Sequence, residues 1–280
     1  MVANFFLRLK TRRRVNRHGL RQVETACGTV RVLEYGFEDS APQPLYVDMH
    51  GGGFILMHAE ADEVMNLYLR EKTGVKIISI DYPKAPEHPF PVPPEAVCET
   101  VRFYVAHAAE WGIDARRIGI GGHSAGANLA TAVCMMAKER GDLSFRFQLL
   151  DYPPLDLATD AYLKPLPKGC VSPRMATLFN ACYVVDPRQA EDPRVSPVFA
   201  TPEQLGGLPP ALLIVAGRDS LHDEGVRYAE MLRQAGVSVV LHDFPNAAHG
   251  FTYYPSTDTD KAMILMAEFI RNHTENSAIQ

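Results

Sequence analysis

The sequence predicts an α/β fold built on a mostly parallel, doubly wound sheet with helices on both faces. Strand-like segments alternate with helix-like segments along most of the 280 residues, which is the pattern of such sheets. The mainly apolar, β-branched run 75–80 is typical of a strand buried on both faces. The most distinctive motifs all follow predicted strands. We therefore expect them to meet at the carboxyl edge of the sheet, where ligands bind.

The predicted elements cover a single domain that spans residues 1–280. Hydrophobic periodicity and turn signals predict strands over 25–35, 45–49, 75–80, 116–120, 145–151, 211–216 and 237–242. They predict helices over 58–72, 95–111, 125–138, 173–183, 221–235 and 257–273, and a loop over 244–251. Residues 153–207 lack a strand signal and hold only the helix at 173–183 between proline-rich loops. So long an insertion in a compact domain is usually functional, and we expect it to cap a site.

Composition and charge exclude several classes of protein. The net charge of −5 gives no broad attraction to nucleic acid. The cysteines show no metal-type or CxxC spacing and predict reduced thiols in a cytoplasmic protein; they are Cys27, Cys98, Cys134, Cys170 and Cys182. No apolar run is long enough to span a bilayer. An amphipathic N-terminal helix around Phe5-Phe6-Leu7 is expected to pack over the domain, and membrane contact is the less favoured alternative.

A Gly-x-Ser-x-Gly motif at Gly122, Ser124 and Gly126 lies between a predicted strand and an Ala-rich helix. A serine on such a sharp turn needs flanking glycines because a Cβ atom would clash there. The turn holds the hydroxyl out at the sheet edge, above a helix N-terminus. The motif is short enough to occur by chance, but its context predicts a nucleophile elbow.

These glycines match neither of the two common glycine-rich nucleotide-binding motifs. A dinucleotide fingerprint starting at Gly119 would need its third glycine at the position of Ser124. A phosphate-binding loop needs Lys and then Ser or Thr after its last glycine, whereas Gly126 precedes Ala127-Asn128.

A serine nucleophile needs a base and an acid that orients the base. In this kind of sheet they follow the serine in the order acid, then histidine. Asp219 and His249 come directly after predicted strands in that order. Asp223 is the rival acid, but it lies in the first turn of the next helix, where a carboxylate suits the dipole. His123 adjoins the serine, and we do not expect it to be the base because an elbow points neighbouring side chains apart.

The run His50-Gly51-Gly52-Gly53 follows a predicted strand and offers backbone N–H groups that a substrate oxygen can approach closely. With the N–H of Ala125, Gly51 and Gly52 are the expected oxyanion donors. A plain glycine turn is the alternative, and the elbow makes it the weaker one.

Together these motifs resemble those of the bacterial hormone-sensitive-lipase-like carboxylesterases, which belong to the α/β-hydrolase superfamily. The matching segments are the His50–Phe54 run, Asp81-Tyr82, the proline-rich stretch 85–91, the elbow, the flanks 221–225 of Asp219, and Gly250-Phe251 after His249. The resemblance runs from about residue 44 to residue 251. Four motifs in the same order make it specific.

The resemblance implies a serine hydrolase that acts on short-chain carboxylic esters without a metal or an organic cofactor. It also implies a small helical cap built from about residues 1–24 and the 153–207 insertion. His123 stands where the family usually has Asp or Thr, and Ala127 and Ser220 replace a usual glycine and proline. The oxyanion motif also comes early, which predicts a shortened cap. None of these departures removes a catalytic group.

The natural substrate stays open at this point, although we expect the protein's binding partner to be a small-molecule ester. An amidase or deacetylase could use the same triad, and a receptor on this fold could lack catalysis. Such receptors have usually lost a triad member, whereas His249 is present. Phe54, Tyr82, Tyr152 and Phe251 are candidate pocket walls, with core packing as the alternative. We expect no partner nucleic acid and no stable membrane association, and a homodimer is left open.

Overall fold

A computed structural model of the protein describes residues 19–275. Within them, eight strands form one sheet in the order β1-β2-β4-β3-β5-β6-β7-β8. The strands are β1 Gly19–Thr25, β2 Gly28–Tyr35, β3 Gln43–Met49, β4 Lys76–Asp81, β5 Ile113–His123, β6 Phe147–Asp151, β7 Ala211–Arg218 and β8 Val239–Ala248. Strands β3 to β8 are parallel, and β1 and β2 add an antiparallel hairpin at one edge. The predicted α/β architecture is confirmed.

Helices cover both faces of the sheet. The α-helices are α1 Glu63–Thr73, α2 Val92–Ala106, α3 Ala125–Arg140, α4 Pro173–Tyr183, α5 Pro202–Leu205, α6 His222–Gln234 and α7 Thr257–Thr274. Helices α2, α3 and α6 bury their apolar sides against one face, and α1 and α7 against the other. Helices α1 and α3 end at Gly74 and Gly141, whose positive φ angles of 73° and 68° are ones that glycine adopts without strain.

Both ends of the sheet differ from the prediction. Residues 19–35 form a hairpin that turns at Ala26-Cys27, where a single strand over 25–35 was expected. Residues 19–24 are therefore a strand rather than part of a cap, and the rest of the expected N-terminal cap lies outside the described residues. At the other end, β8 continues to Ala248 where a loop was predicted. Pro245 and Asn246 hide that extension in the sequence, but β7 pairs with it beyond a bulge near Gly217.

The 153–207 insertion contains the predicted helix and places it over the carboxyl edge of the sheet. Helix α4 begins after Ser172, whose hydroxyl accepts a hydrogen bond from Met175 N at 3.3 Å. Its last residue, Tyr183, stacks on Phe54 with ring centroids 3.8 Å apart. None of the helices in residues 19–275 is long and apolar enough to cross a membrane.

Candidate active site

Ser124 stands on a tight turn between β5 and α3. Its φ and ψ are 51° and −119°, a conformation that ordinary side chains rarely adopt. A Cβ atom on Gly122 would come within 2.3 Å of Met49 O, and one on Gly126 within 2.0 Å of the same oxygen. The two glycines therefore let the elbow lie directly against the end of β3.

The substitution Gly126→Ala tests this packing. Alanine normally stabilises a helix relative to glycine, but here its methyl group would overlap backbone atoms that cannot move aside. We expect the free energy of unfolding, measured by urea titration, to fall by about 3 kcal/mol. Gly141→Ala is the control: its Cβ meets nothing within 4 Å, so the left-handed backbone alone should cost about 1 kcal/mol. A Gly126→Ala variant as stable as the parent would show that the elbow does not need this close approach.

Ser124, His249 and Asp219 form one hydrogen-bonded chain. Ser124 Oγ lies 3.0 Å from His249 Nε2, and His249 Nδ1 lies 2.6 Å from Asp219 Oδ2. The Asp219 carboxylate is buried and also accepts a hydrogen bond from Leu221 N at 3.3 Å. The structure thus brings together the three residues that the sequence singled out from the ends of β5, β7 and β8.

The two rival residues lie elsewhere. The Asp223 side chain is 74% exposed and pairs with His222 at 2.9 Å. His123 points away from Ser124 Oγ into the protein interior, where its Nδ1 lies 2.7 Å from Asp151 Oδ2.

The glycine loop after β3 differs in one respect from the expected donor set. The N–H of Gly51 donates to the Tyr253 hydroxyl at 3.2 Å, so it is already engaged within the protein. Across residues 19–275, the N–H groups of Gly52, Gly53 and Ala125 have no protein acceptor. The geometry therefore replaces Gly51 with Gly53 among the candidate oxyanion donors. The sequence could not show this, because the contact joins residues 202 positions apart.

Residues of the proline-rich motif hold this glycine loop in place. Tyr82 donates its hydroxyl hydrogen to His50 O at 3.0 Å and stacks on the His50 ring at 4.4 Å. His50 Nε2 lies 3.4 Å from Asp81 Oδ1. Burial opposes ionisation of Asp81, but the nearby side chains of His50 and Lys84 outweigh it and hold the pKa of that carboxyl below its usual range. Tyr82 and Asp81 therefore support the loop from behind.

A cavity of about 500 Å³ opens onto Ser124 and His249. Phe54 and Tyr152 line it as expected, whereas Tyr82 and Phe251 do not. Tyr82 is covered by His50, and Phe251 packs against Phe244 with centroids 5.0 Å apart. Further walls, which the sequence did not single out, come mostly from the insertion and include Leu157, Val171, Ala176, Phe179 and Asn180.

Two charged residues, Asp156 and Lys164, also line the cavity. The ammonium group of Lys164 pairs with the buried carboxylate of Glu224. Burial raises the pKa of Glu224 to about 7, against the opposing effect of Lys164. The cavity wall is therefore mostly apolar, with two charged side chains that are both hydrogen-bonded within the protein.

Comparison with known proteins identifies the family. A family model described as the alpha/beta hydrolase fold matches residues 46–253. Esterase LipI of Mycobacterium tuberculosis is 31% identical over 220 residues, which are 77% of this chain and 68% of that protein. Ethyl acetate hydrolase of Pseudomonas putida is 30% identical over 237 residues, 80% of this chain and 72% of that protein.

Solved structures agree with these relatives. The esterase of Pyrobaculum calidifontis superposes with a TM-score of 0.87 at 29% identity, covering 96% of this chain and 90% of that one. The chain belongs to the α/β-hydrolase family, among its hormone-sensitive-lipase-like esterases. As an enzyme it falls in the class of carboxylic ester hydrolases.

Proposed function

We propose that the protein hydrolyses short-chain carboxylic esters through a Ser124–His249–Asp219 triad and an acyl-enzyme intermediate. The hydrogen-bonded chain from Asp219 to Ser124 at the mouth of the cavity carries this proposal. No metal or organic cofactor takes part in the proposed steps.

In the first step, His249 Nε2 takes the hydroxyl proton of Ser124 as Oγ attacks the ester carbonyl carbon. Asp219 accepts a hydrogen bond from His249 Nδ1, which fixes the tautomer and stabilises the imidazolium. The negative charge that develops on the carbonyl oxygen is held by the N–H groups of Gly52, Gly53 and Ala125. Because Ala125 is also the first residue of α3, the helix dipole adds to this stabilisation.

The tetrahedral intermediate then collapses. The alcohol leaves with the proton from His249, and the acyl group remains on Ser124. A water molecule repeats the sequence: His249 takes its proton, the hydroxide adds to the acyl carbon, and the carboxylic acid departs as Ser124 recovers its proton.

The size of the cavity supports a preference for short acyl chains. Its volume of about 500 Å³ must hold both the acyl group and the alcohol, and it lies in the lower part of the range for small-molecule sites. Phe179 on α4 and Tyr152 after β6 are large rings in its wall. One relative carries the name of a very short ester, as an ethyl acetate hydrolase.

The substrate test is hydrolysis of p-nitrophenyl esters with acyl chains of increasing length, from acetate to palmitate. We expect the highest kcat/KM at the shorter chains and a fall of at least about tenfold at the longest, because each methylene that finds no room loses its burial energy. A matched p-nitroanilide should react more slowly than the ester. A maximum at palmitate would contradict the short-chain preference, and a faster anilide would favour an amidase.

A further inference from the structure

Directly behind the nucleophile lies a cluster of buried charged side chains that the proposed catalytic steps do not use. It consists of Asp48, Asp62, His123 and Asp151, each at most 2% exposed. Buried ionisable groups are costly unless they are paired. Their contacts therefore indicate what the cluster does.

Asp151 connects two parts of the candidate active site. Its Oδ2 accepts hydrogen bonds from His123 Nδ1 at 2.7 Å and from Thr252 Oγ1 at 2.8 Å. Its main-chain oxygen accepts a third from Ser124 N at 2.8 Å. One residue at the end of β6 thus fixes both the elbow and the segment that follows His249.

The other side of the His123 ring faces Asp62. A ring nitrogen of His123 and one carboxylate oxygen each of Asp62 and Asp48 all lie within 4.8 Å of one another. Asp48 is held by Asn66 and Ser79 at 2.8 and 2.7 Å, but both carboxylate oxygens of Asp62 are buried without a hydrogen-bond partner in the described residues. The His123 imidazole and the Tyr253 hydroxyl are the groups that oppose the effect of burial on the pKa of Asp62.

Tyr253 links this cluster to the glycine loop. Its ring centroid lies 5.7 Å from that of His123, and its hydroxyl accepts the hydrogen bond from Gly51 N. Burial raises the pKa of Tyr253 well above its usual value, and the charge of Asp62 adds to the effect. The oxyanion loop, the His249 segment and the elbow therefore all meet at one imidazole.

The electrostatics favour a cluster that holds a proton at neutral pH. Burial disfavours the charged imidazole, but Asp62, Asp151 and Asp48 outweigh it and raise the pKa of His123 to about 9. Burial and the charge of Asp48 also raise the pKa of Asp62, against the opposing charge of His123. The two groups titrate as a pair, and we place their shared proton on the imidazole, which also lies 2.7 Å from Asp151 Oδ2.

We propose that His123 is a positioning residue whose protonated imidazole, between Asp151 and Asp62, fixes the relative positions of three parts of the site. They are the elbow, the segment that follows His249, and the glycine loop after β3. This inference rests on the proposed function, because these positions matter only if the three parts act together. His123 itself touches no reacting atom.

Protonation of His123 determines the direction in which kcat changes with pH. The groups that face His123 are Asp48 from β3, Asp62 from the turn before α1, Asp151 and Tyr152 from the end of β6, and Tyr253 after β8. The imidazolium is present below the raised pKa of His123 and is lost as the pH rises through it. Attraction to Asp151 and Asp62 then weakens, so kcat should fall in the alkaline range.

The test compares the parent with His123→Asn, whose amide can still donate to Asp151 but cannot carry a charge. Hydrolysis of ethyl butyrate is followed by pH-stat from pH 6 to about 10. We expect kcat at pH 7 to fall at least about tenfold with KM within about threefold of the parent, because misaligned groups react slowly while binding survives. The alkaline fall seen in the parent should be absent from the variant.

Two isosteric variants separate positioning from general destabilisation. Thr252→Val removes the hydroxyl that ties the His249 segment to Asp151 and should also lower kcat. Thr100→Val removes an equally buried hydroxyl, bonded to Ala96 O within α2, and should leave kcat unchanged. Asp62→Asn removes the carboxylate that faces the other side of the His123 ring. It replaces His123→Asn in the test if His123→Asn does not fold.

Several results would overturn the inference. They are an unchanged kcat in both His123→Asn and Asp62→Asn, an alkaline fall that survives the loss of the imidazole, and a metal ion bound stoichiometrically to the purified parent through these side chains. If the parent itself turns over no ester, the proposed function fails instead, and titration of the His123 ring by NMR still tests for the raised pKa.

Discussion

Replacing Ser124 by alanine is expected to lower kcat for ester hydrolysis by about six orders of magnitude. The reason is the loss of the only oxygen, among the described residues, placed both beside His249 Nε2 and at the mouth of the cavity. Alanine keeps the Cβ atom, so the strained turn between β5 and α3 is unchanged. The fold should survive, because Ser124 Oγ has no side-chain partner in residues 19–275 except His249.

The measurement is kcat and KM on p-nitrophenyl butyrate, with far-UV circular dichroism and a urea titration to establish that the variant is folded. Ser144→Ala is the control, since Ser144 is exposed at the opposite edge of the sheet, before β6. A folded Ser124→Ala variant that keeps more than a few per cent of parental turnover would remove the basis of the mechanism.

Replacing Asp219 by asparagine is expected to lower kcat by about four orders of magnitude with a smaller change in KM. The carboxylate accepts the Nδ1 hydrogen of His249 at 2.6 Å and thereby leaves Nε2 free to take the serine proton. An amide can turn its N–H towards Nδ1 instead, which stabilises the wrong tautomer. It also carries no charge to stabilise the imidazolium.

Asp223→Asn is the matched control, because Asp223 is the rival acid after β7 and its side chain is 74% exposed. Its kcat should stay within about threefold of the parent, as expected for a surface carboxylate. The opposite ranking of the two variants would transfer the role of the acid to Asp223.

The central features of the site could be predicted from the sequence because each lies in a short stretch of residues and the stretches follow one another in a fixed order. The elbow is five consecutive positions around Ser124, and the strand ends at Asp219 and His249 follow from hydrophobic runs. The parallel sheet then brings these ends to one edge. Rivals could be set aside on position alone, as with Asp223 in the first turn of a helix.

Features that depend on distant packing could not be predicted. The sequence offers four aromatic residues as equal candidates for the cavity wall: Phe54, Tyr82, Tyr152 and Phe251. Only the structure shows that stacking on His50 removes Tyr82 from the wall and that packing on Phe244 removes Phe251. The engagement of Gly51 by Tyr253 likewise joins segments far apart in the chain. β8 extends past residue 242 because β7 pairs with it, although Pro245 and Asn246 break its pattern.

His123 illustrates the same limit. The sequence shows that an unusual residue precedes the nucleophile, but not that Asp151 and Asp62 surround it. Those carboxylates come from different elements, and neither belongs to a motif that the sequence marks as functional. Only the tertiary structure shows these contacts, and they are what suggest a testable role for His123.

The covalent intermediate offers the most direct test of the proposed mechanism. The protein is treated with a p-nitrophenyl phosphonate, and the product is analysed by intact-mass and peptide mass spectrometry. We expect one phosphonyl group per chain, attached to Ser124, with parallel loss of esterase activity and no labelling of Ser124→Ala. A stable adduct on another residue, or full inactivation with Ser124 unmodified, would contradict the assignment of Ser124 as the nucleophile.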